Sequence, residues 1–395
     1  MIDLEKAKEI ILENIEEKSF EEVSLYDGLN RVLYEDVHSK INNPPFSKSP
    51  LDGYALKGEE LERLENYKEF QVIDKIFAGE VSRKIVGKGQ CIRIMTGAKI
   101  PVGCNCVVRQ EDTEEIEGKV RVFKEHKAFD NYIYEGEDFK KGDKIVSKGK
   151  KITASEVMAI ASLGIDKIKV YKKPYIGLIN TGDEIQNPGE ELKDGKVYNC
   201  NGGFLLSRIK ELNLNGELYS SLLDNEESLK NGITQLEERS DIIISTGGVS
   251  VGEKDIVQKV VKDLGYEILF WKVDIKPGSP LFVGRKNGKL YIGLSGTPVA
   301  SATTFELLCR DGLLKMINCT EDMIRKEKGI LKDSFMKKGK KRRFLRAFKD
   351  NNGDVYIDNV YQSPGQVHTM LNSNCLLEIG KNEILEEGKE VFVLR

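Results

Sequence analysis

The stretch Ser245-Thr246-Gly247-Gly248-Val249-Ser250-Val251-Gly252-Glu253-Lys254-Asp255 carries hydroxyls, glycines and a carboxylate in the order an anion site needs. Before it, Ile242, Ile243 and Ile244 suit a short strand buried on both faces. Gly247 and Gly248 permit a sharp turn and a close approach of ligand to backbone. After it, Ile256, Val257, Val260, Val261 and Leu264 repeat at helical spacing. Strand, glycine turn and helix leave backbone N–H groups free at a helix start, which favours an anion. Asp255, in the first helical turn, could hold a cation beside that anion. A structural turn that binds nothing has the same local signature, so the stretch gains weight only from similar turns elsewhere.

Such turns recur. Thr181-Gly182-Asp183-Glu184 follows a strand-like run over 175–180, and Asp224 follows one over 218–222. Lys276-Pro277-Gly278-Ser279 follows a run over 267–273, and Ser295-Gly296-Thr297-Pro298 one over 290–294. Between these runs, segments 204–212, 226–238 and 299–315 have helical patterning. The alternation predicts a doubly wound, mainly parallel sheet with helices on both faces. In that architecture ligands bind outside the carboxyl ends of the strands, where all five polar turns would gather.

The rest of the chain must frame those turns. Its 395 residues accommodate roughly two to four domains. Hydrophobic residues at 39% and charged residues at 32% supply ordered cores with a well-solvated surface. A net charge of −3 gives no reason to expect nucleic acid. The first residues include acids and no apolar run, so no signal peptide is expected. No apolar stretch approaches the roughly 18 residues of a membrane span. Seven scattered cysteines argue for a reducing cytoplasm over a disulfide framework. His38, His126 and His368 lie too far apart in sequence to suggest a His-rich metal centre or a Ser-His-Asp triad. Chemistry must come from carboxylates, lysines, hydroxyls and backbone.

Leu4, Ala7, Ile10, Ile11 and Ile15 predict an amphipathic first helix, and Asn42-Asn43-Pro44-Pro45 marks a boundary. Strand-like runs over 70–77, 91–95, 106–110 and 119–123 predict a mostly-β domain inserted over 42–139. Within it Asp52-Gly53 reads as a hairpin turn. Ile94-Met95-Thr96-Gly97-Ala98 ends a strand with a hydroxyl and N–H groups able to face an anion. Thr153-Ala154-Ser155-Glu156 is a capping box opening a helix that stops at Gly164. Residues 1–41 and 140–170 are assigned to a discontinuous N-terminal domain and 171–319 to the α/β domain. Residues 320–342 read as a linker, whose run Lys337-Lys338-Gly339-Lys340-Lys341-Arg342-Arg343 is taken as solvated. Residues 343–395 form a C-terminal β domain with no sign of catalysis. The expected fold class is therefore α/β multidomain.

Taken in order, Asp52-Gly53-Tyr54-Ala55, Arg93-Ile94-Met95-Thr96-Gly97-Ala98, Gly136-Glu137-Asp138, Thr181-Gly182-Asp183-Glu184, the 245–252 stretch and Lys276-Pro277-Gly278 resemble the motifs of the MoeA family. The resemblance covers essentially the whole chain. Members are molybdopterin molybdenumtransferases, related to the C-terminal enzymatic domain of gephyrin. It implies a four-domain, L-shaped subunit in a homodimer, with a MogA-like α/β domain that binds molybdopterin. It implies a magnesium-dependent insertion of molybdate into adenylylated molybdopterin, with release of AMP. The implied partners are a MogA-like adenylyltransferase and molybdoenzyme-maturation proteins in the cytoplasm, without nucleic acid or membrane.

Carried onto matching positions, the resemblance implies Asp52, Asp224, Asp255 and Lys276 as catalytic residues. Glu184, Asp224 and Asp255 are the implied magnesium ligands, since this ion keeps several waters and needs only one or two carboxylates beside substrate phosphate. Implied substrate contacts are Thr96 and Gly97, then Gly182, Asp183 and Glu184, then Thr246, Gly247, Gly248, Val249 and Ser250. Pro277, Gly278, Ser295, Thr297 and Pro298 complete them. Lys276 would neutralise an oxyanion as a point charge. Asp52 and Thr96 would complete the site from across a cleft, in the same subunit or from the other one.

Three departures stand out. Ser279 occupies the place of a second lysine usual in the family, Ser295-Gly296-Thr297-Pro298 replaces the usual Pro-Gly-Asn-Pro, and 131–135 lacks the usual basic residues. Fewer cations weaken neutralisation of an oxyanion. Two other readings therefore stay open: a carrier or scaffold that binds molybdopterin without turnover, and an enzyme with altered oxyanion preference such as tungstate. A MogA-type adenylyltransferase would leave the inserted β domain unexplained, and no P-loop motif occurs.

Overall fold

A computed structural model describes residues 1–219, 225–249, 256–357 and 362–395. Among these residues three six-stranded sheets carry the architecture. The α/β sheet has the order Asn215–Leu218, Tyr175–Asn180, Ile242–Thr246, Lys289–Leu294, Phe282–Lys286, Glu267–Trp271. The first four strands are parallel, Phe282–Lys286 runs antiparallel to both its neighbours, and Glu267–Trp271 therefore runs in the direction of the first four. The unbroken apolar runs follow from burial on both faces. Ile176, Leu178, Ile242 and Ile244 pack with Leu205 and Ile209 of the helix Cys200–Glu211. Ile179 and Ile243 point the other way, onto Leu229, Ile233 and Leu236 of the helix Glu226–Arg239. Asn287 and Gly288, both at positive φ, close the hairpin that reverses the sheet edge.

Asn199 and Asn225 cap the two helices by accepting from the N–H groups of Gly202 and Ser228 at 2.9 and 2.8 Å. Gly203 lies exposed inside the first helix, and a Cβ there would meet nothing within 4 Å. Gly203→Ala is therefore expected to stabilise the protein by about 0.5–1 kcal/mol in urea unfolding, through lost backbone freedom in the unfolded chain. Destabilisation would contradict the open helix interior.

The N-terminal helix Leu4–Glu13, expected in a separate first domain, packs into the α/β core through Leu4, Ala7 and Ile11. Gly312 permits its approach, since a Cβ there would lie 3.2 Å from Ile11 Cγ2. The inserted sheet has the order Cys106–Arg109, Gly53–Leu56, Gln90–Ile94, Lys68–Ile76, Lys119–Val122, Thr113–Ile116. Asp52-Gly53 thus leads into an interior strand and not into a hairpin. Four consecutive buried residues outweigh the turn preference, and a Cβ on Gly53 would fall 1.9 Å from the Val108 carbonyl oxygen.

The third sheet has the order Ile275–Lys276, Arg342–Lys349, Asp354–Tyr356, Lys326–Leu331, Glu390–Leu394, Cys375–Ile379, and the last strand pairs back with Arg342–Lys349. Two expectations change. Residues 320–342 contain a strand of this sheet, Lys326–Leu331, antiparallel to Glu390–Leu394. Lys276 ends no strand of the α/β sheet; Ile275 and Lys276 pair in parallel with Arg342 and Arg343. Backbone pairing with a distant partner is invisible to local patterning. No helix among the described residues is long and apolar enough to cross a membrane.

Candidate functional site

Three parallel strands of the α/β sheet end level, with Asn180 opposite Thr246 and Thr246 opposite Leu294. Their turns therefore stand side by side. The Thr181 N–H donates to Thr246 O at 3.0 Å, and the Gly247 N–H to Leu294 O at 3.1 Å. Gly247, at φ +92°, lies so close to the neighbouring turn that a Cβ would fall 2.4 Å from Thr181 O. A Cβ on Gly296 would in turn lie 3.2 Å from the Gly247 Cα. Glycine is required because these backbones are nearly in contact.

Buried amides brace this edge. Asn180 donates to Thr246 Oγ1 and accepts from Asn199 Nδ2 at 3.4 Å, while Asn201 Nδ2 donates to Gly296 O at 2.8 Å. These asparagines were not singled out in the sequence; their signal was the polar Tyr198-Asn199-Cys200-Asn201 lead-in to a helix. Glu184 is exposed, and a Cβ on Gly182 would lie 2.7 Å from its carboxylate oxygens. Trp271 Nε1 donates to Val249 O at 3.3 Å, tethering the far end of the glycine turn. Asp224, Ser250 and Asp255 lie outside the described residues.

The Lys276 turn joins this edge from the third sheet. Gly278 packs on the helix Pro298–Thr304, where a Cβ would fall 2.2 Å from Thr304 Cγ2. The Val299 N–H donates to Pro364 O at 2.9 Å, docking the C-terminal domain on the same helix. Between them opens a cavity of about 520 Å³ lined by Lys276, Pro277, Gly278, Ser295 and Thr297. Lys337, Lys338, Lys340, Lys341 and Arg343 line it as well. The basic run read as solvated linker is therefore a wall of the cavity. Ser279, where the resemblance led one to expect a lysine, accepts from Lys341 Nζ at 2.7 Å. A lysine distant in sequence thus reaches that place.

A smaller cavity of about 130 Å³ adjoins the first and shares Lys276, Pro277, Lys337, Arg343 and Pro364 with it. Arg346, Gln362 and Ser363 line the smaller one. Arg346 is 1% exposed and has no carboxylate partner among the described residues. Its Nε donates to Thr369 Oγ1 at 3.0 Å and its Nη2 to Ser363 O at 3.3 Å. Gln362 brackets its backbone, accepting from Arg346 N at 2.8 Å and donating to Arg346 O at 2.7 Å. Burial pushes the guanidinium down to about 10, so it stays charged at neutral pH. A buried cation held, among the described residues, by neutral oxygens, beside the exposed Lys276, is suited to a small oxyanion. Arg346 and Ser363 were missed because the C-terminal domain has no motif that announces them.

Asp52 and Thr96 form a pair of their own. Asp52 Oδ1 accepts from both the backbone N and the Oγ1 of Thr96 at 2.7 Å, and these bonds, the backbone one foremost, hold its carboxyl below the usual range. Gly97, at φ +83°, makes the turn beside them. Among the described residues none of their hydrogen bonds reaches the Lys276 cavities or the α/β strand ends. Burial pushes the thiols of Cys104 and Cys106 up to about 12, which removes them as nucleophiles near neutrality. Among the described residues no three His, Cys, Asp or Glu side chains group as a metal site. Glu184 alone of the three expected magnesium ligands is described; its exposed carboxylate is the hard oxygen donor such an ion prefers.

Comparison with known proteins follows the same division. The models for the MoeA N-terminal region (domain I and II), a probable molybdopterin binding domain and the MoeA C-terminal region (domain IV) match residues 2–164, 177–315 and 328–395. A Staphylococcus aureus protein named molybdopterin molybdenumtransferase is 35% identical over 377 residues, 94% of this chain and 90% of its own. A Staphylococcus epidermidis protein of that name is 34% identical over the same shares. Two solved structures of the molybdopterin biosynthesis MoeA protein from Pyrococcus horikoshii are similar throughout. One has a TM-score of 0.90 at 31% identity, covering 100% of this chain and 98% of that one. The other has 0.84 at 29%, covering 100% and 99%.

Proposed function

The chain belongs to the MoeA family, and from that premise we propose that it is a molybdopterin molybdenumtransferase of molybdenum cofactor biosynthesis. In this reading it inserts molybdate into adenylylated molybdopterin and releases AMP. One observation carries it: two adjoining cavities meet at Lys276, the smaller backed by the buried Arg346, which has no carboxylate partner among the described residues. A tetrahedral oxyanion would sit against Lys276 and Arg346, where exclusion of water strengthens the attraction. The organic substrate would lie along the turns at 181–184, 246–249 and 295–297. Two anions that repel in water would thereby be held in contact, which is the main chemical contribution of such a site.

Glu184, with Asp224 and Asp255, would hold the magnesium ion, which supplies positive charge beside the substrate phosphate. Homodimerisation would let the Asp52–Thr96 pair of a second copy face the strand ends. A MogA-like adenylyltransferase would supply the substrate in the cytoplasm, and maturation proteins of molybdoenzymes would take the product.

The test is incubation of the purified chain with adenylylated molybdopterin, molybdate and magnesium, reading released AMP and pterin-bound molybdenum together. Tight pterin binding without AMP release would defeat the reading in favour of a carrier. Asp52→Ala is expected to lower AMP release at least about tenfold, as loss of one charged contact in a site would. Turnover at the wild-type rate would remove Asp52 from the site.

A further inference from the structure

Resting on that reading, we infer that the larger cavity contains a second anion subsite, built by Lys341 and Arg343, that takes a phosphate group of the organic substrate. Arg343 is 6% exposed, and its Nη2 is buried without a hydrogen-bond partner. No carboxylate pairs with it among the described residues; its guanidinium lies 5.3 Å from the Phe335 ring centre. An unpaired buried donor of this kind is costly, and an anion in the cavity it lines would satisfy it. Its planar fork matches two phosphate oxygens at once.

The basic segment is built around this group. A Cβ on Gly339 would fall 2.3 Å from Arg343 Nη2, so the segment's backbone runs directly over the guanidinium. The pairing of Ile275 with Arg342 and Lys276 with Arg343 roots the segment beside the Lys276 turn. Lys341 is anchored rather than solvated. Its Nζ donates to Ser279 Oγ at 2.7 Å, and that hydroxyl spends its own proton on Val273 O at 2.8 Å. The ammonium retains two further donors for an anion. Lys341 lines only the larger cavity, Arg346 only the smaller, and Arg343 both. Two anions would therefore share one guanidinium between them.

The experiment is titration calorimetry on the full chain at low ionic strength, with inorganic phosphate, AMP and molybdate as separate probes. Lys341→Ala and Arg343→Gln are each expected to weaken phosphate and AMP about tenfold, a charge-assisted hydrogen bond's worth. Arg343→Lys should recover part of the loss, and Lys341→Ala should leave molybdate affinity within about twofold because it does not line the smaller cavity. Unchanged phosphate binding in both variants overturns the subsite. Phosphate binding that is lost only when Arg346 is replaced also overturns it, by placing phosphate in the oxyanion cavity. Weakened AMP with unaffected inorganic phosphate also overturns it, by placing the contact on the nucleoside and not on the phosphate. Failure of AMP release in the turnover assay, with Lys341-dependent phosphate binding intact, would sink the proposed reaction and leave the subsite standing.

Discussion

Arg346→Met should lower turnover by about 10²–10³-fold, the usual consequence of removing one preorganised donor from a developing or bound oxyanion. The side chain is buried and charged, and its partners among the described residues are Thr369 Oγ1 and Ser363 O. Methionine replaces its length without its charge. Replacing a buried charge by an apolar chain of similar volume is often neutral or stabilising, so the variant should unfold within a few degrees of the parent. Thr369 Oγ1 keeps its bond to Gln366 O at 2.7 Å and is not orphaned. Molybdate should raise the parent's melting temperature and leave that of the variant unchanged, since only a ligand that binds the native state stabilises it. An active Arg346→Met enzyme would show that the oxyanion lies elsewhere.

Gly247→Ala should cost about 2–4 kcal/mol in urea unfolding and abolish pterin binding, because left-handed strain and steric overlap act together. The residue stands at φ +92°, and the new methyl would lie 2.4 Å from Thr181 O and 2.8 Å from Thr181 Oγ1. Backbone on that side cannot yield without parting two paired strands, since the Thr181 N–H is bonded to Thr246 O. The same exchange at Gly203 meets open space and has the opposite expected sign. A fall in the urea midpoint with constant m-value at Gly247, against a rise at Gly203, would confirm that contact and not residue type decides. A Gly247→Ala protein as stable as its parent would mean that the turns at 181 and 247 are not in contact.

Much of the α/β unit was legible because its signals are local. The runs at 175–180 and 242–246 are strands, as their apolar continuity required, and the turns after 180, 246 and 294 do gather on one edge. Thr153 and Glu156 form the capping box their spacing predicted. Where readings failed, a distant partner outweighed a local preference. Asp52-Gly53 has hairpin chemistry, yet Gly53 is pressed against Val108 in an interior strand. The 337–343 run has the composition of a solvated linker, yet it pairs with Ile275–Lys276 and walls a cavity.

By itself the amino-acid sequence pointed to the proposed class of chemistry through glycine turns after buried strands and a lysine before Pro-Gly. It also determined the family, because ordered motifs of that kind survive reading one residue at a time. Only the tertiary structure decided which cations meet. Arg343, Arg346 and Lys341 carry no motif, and the charge of the two arginines becomes significant only when burial removes water from around them. Lys341 reaches Ser279 across 62 residues of chain, and no local pattern encodes a contact of that span.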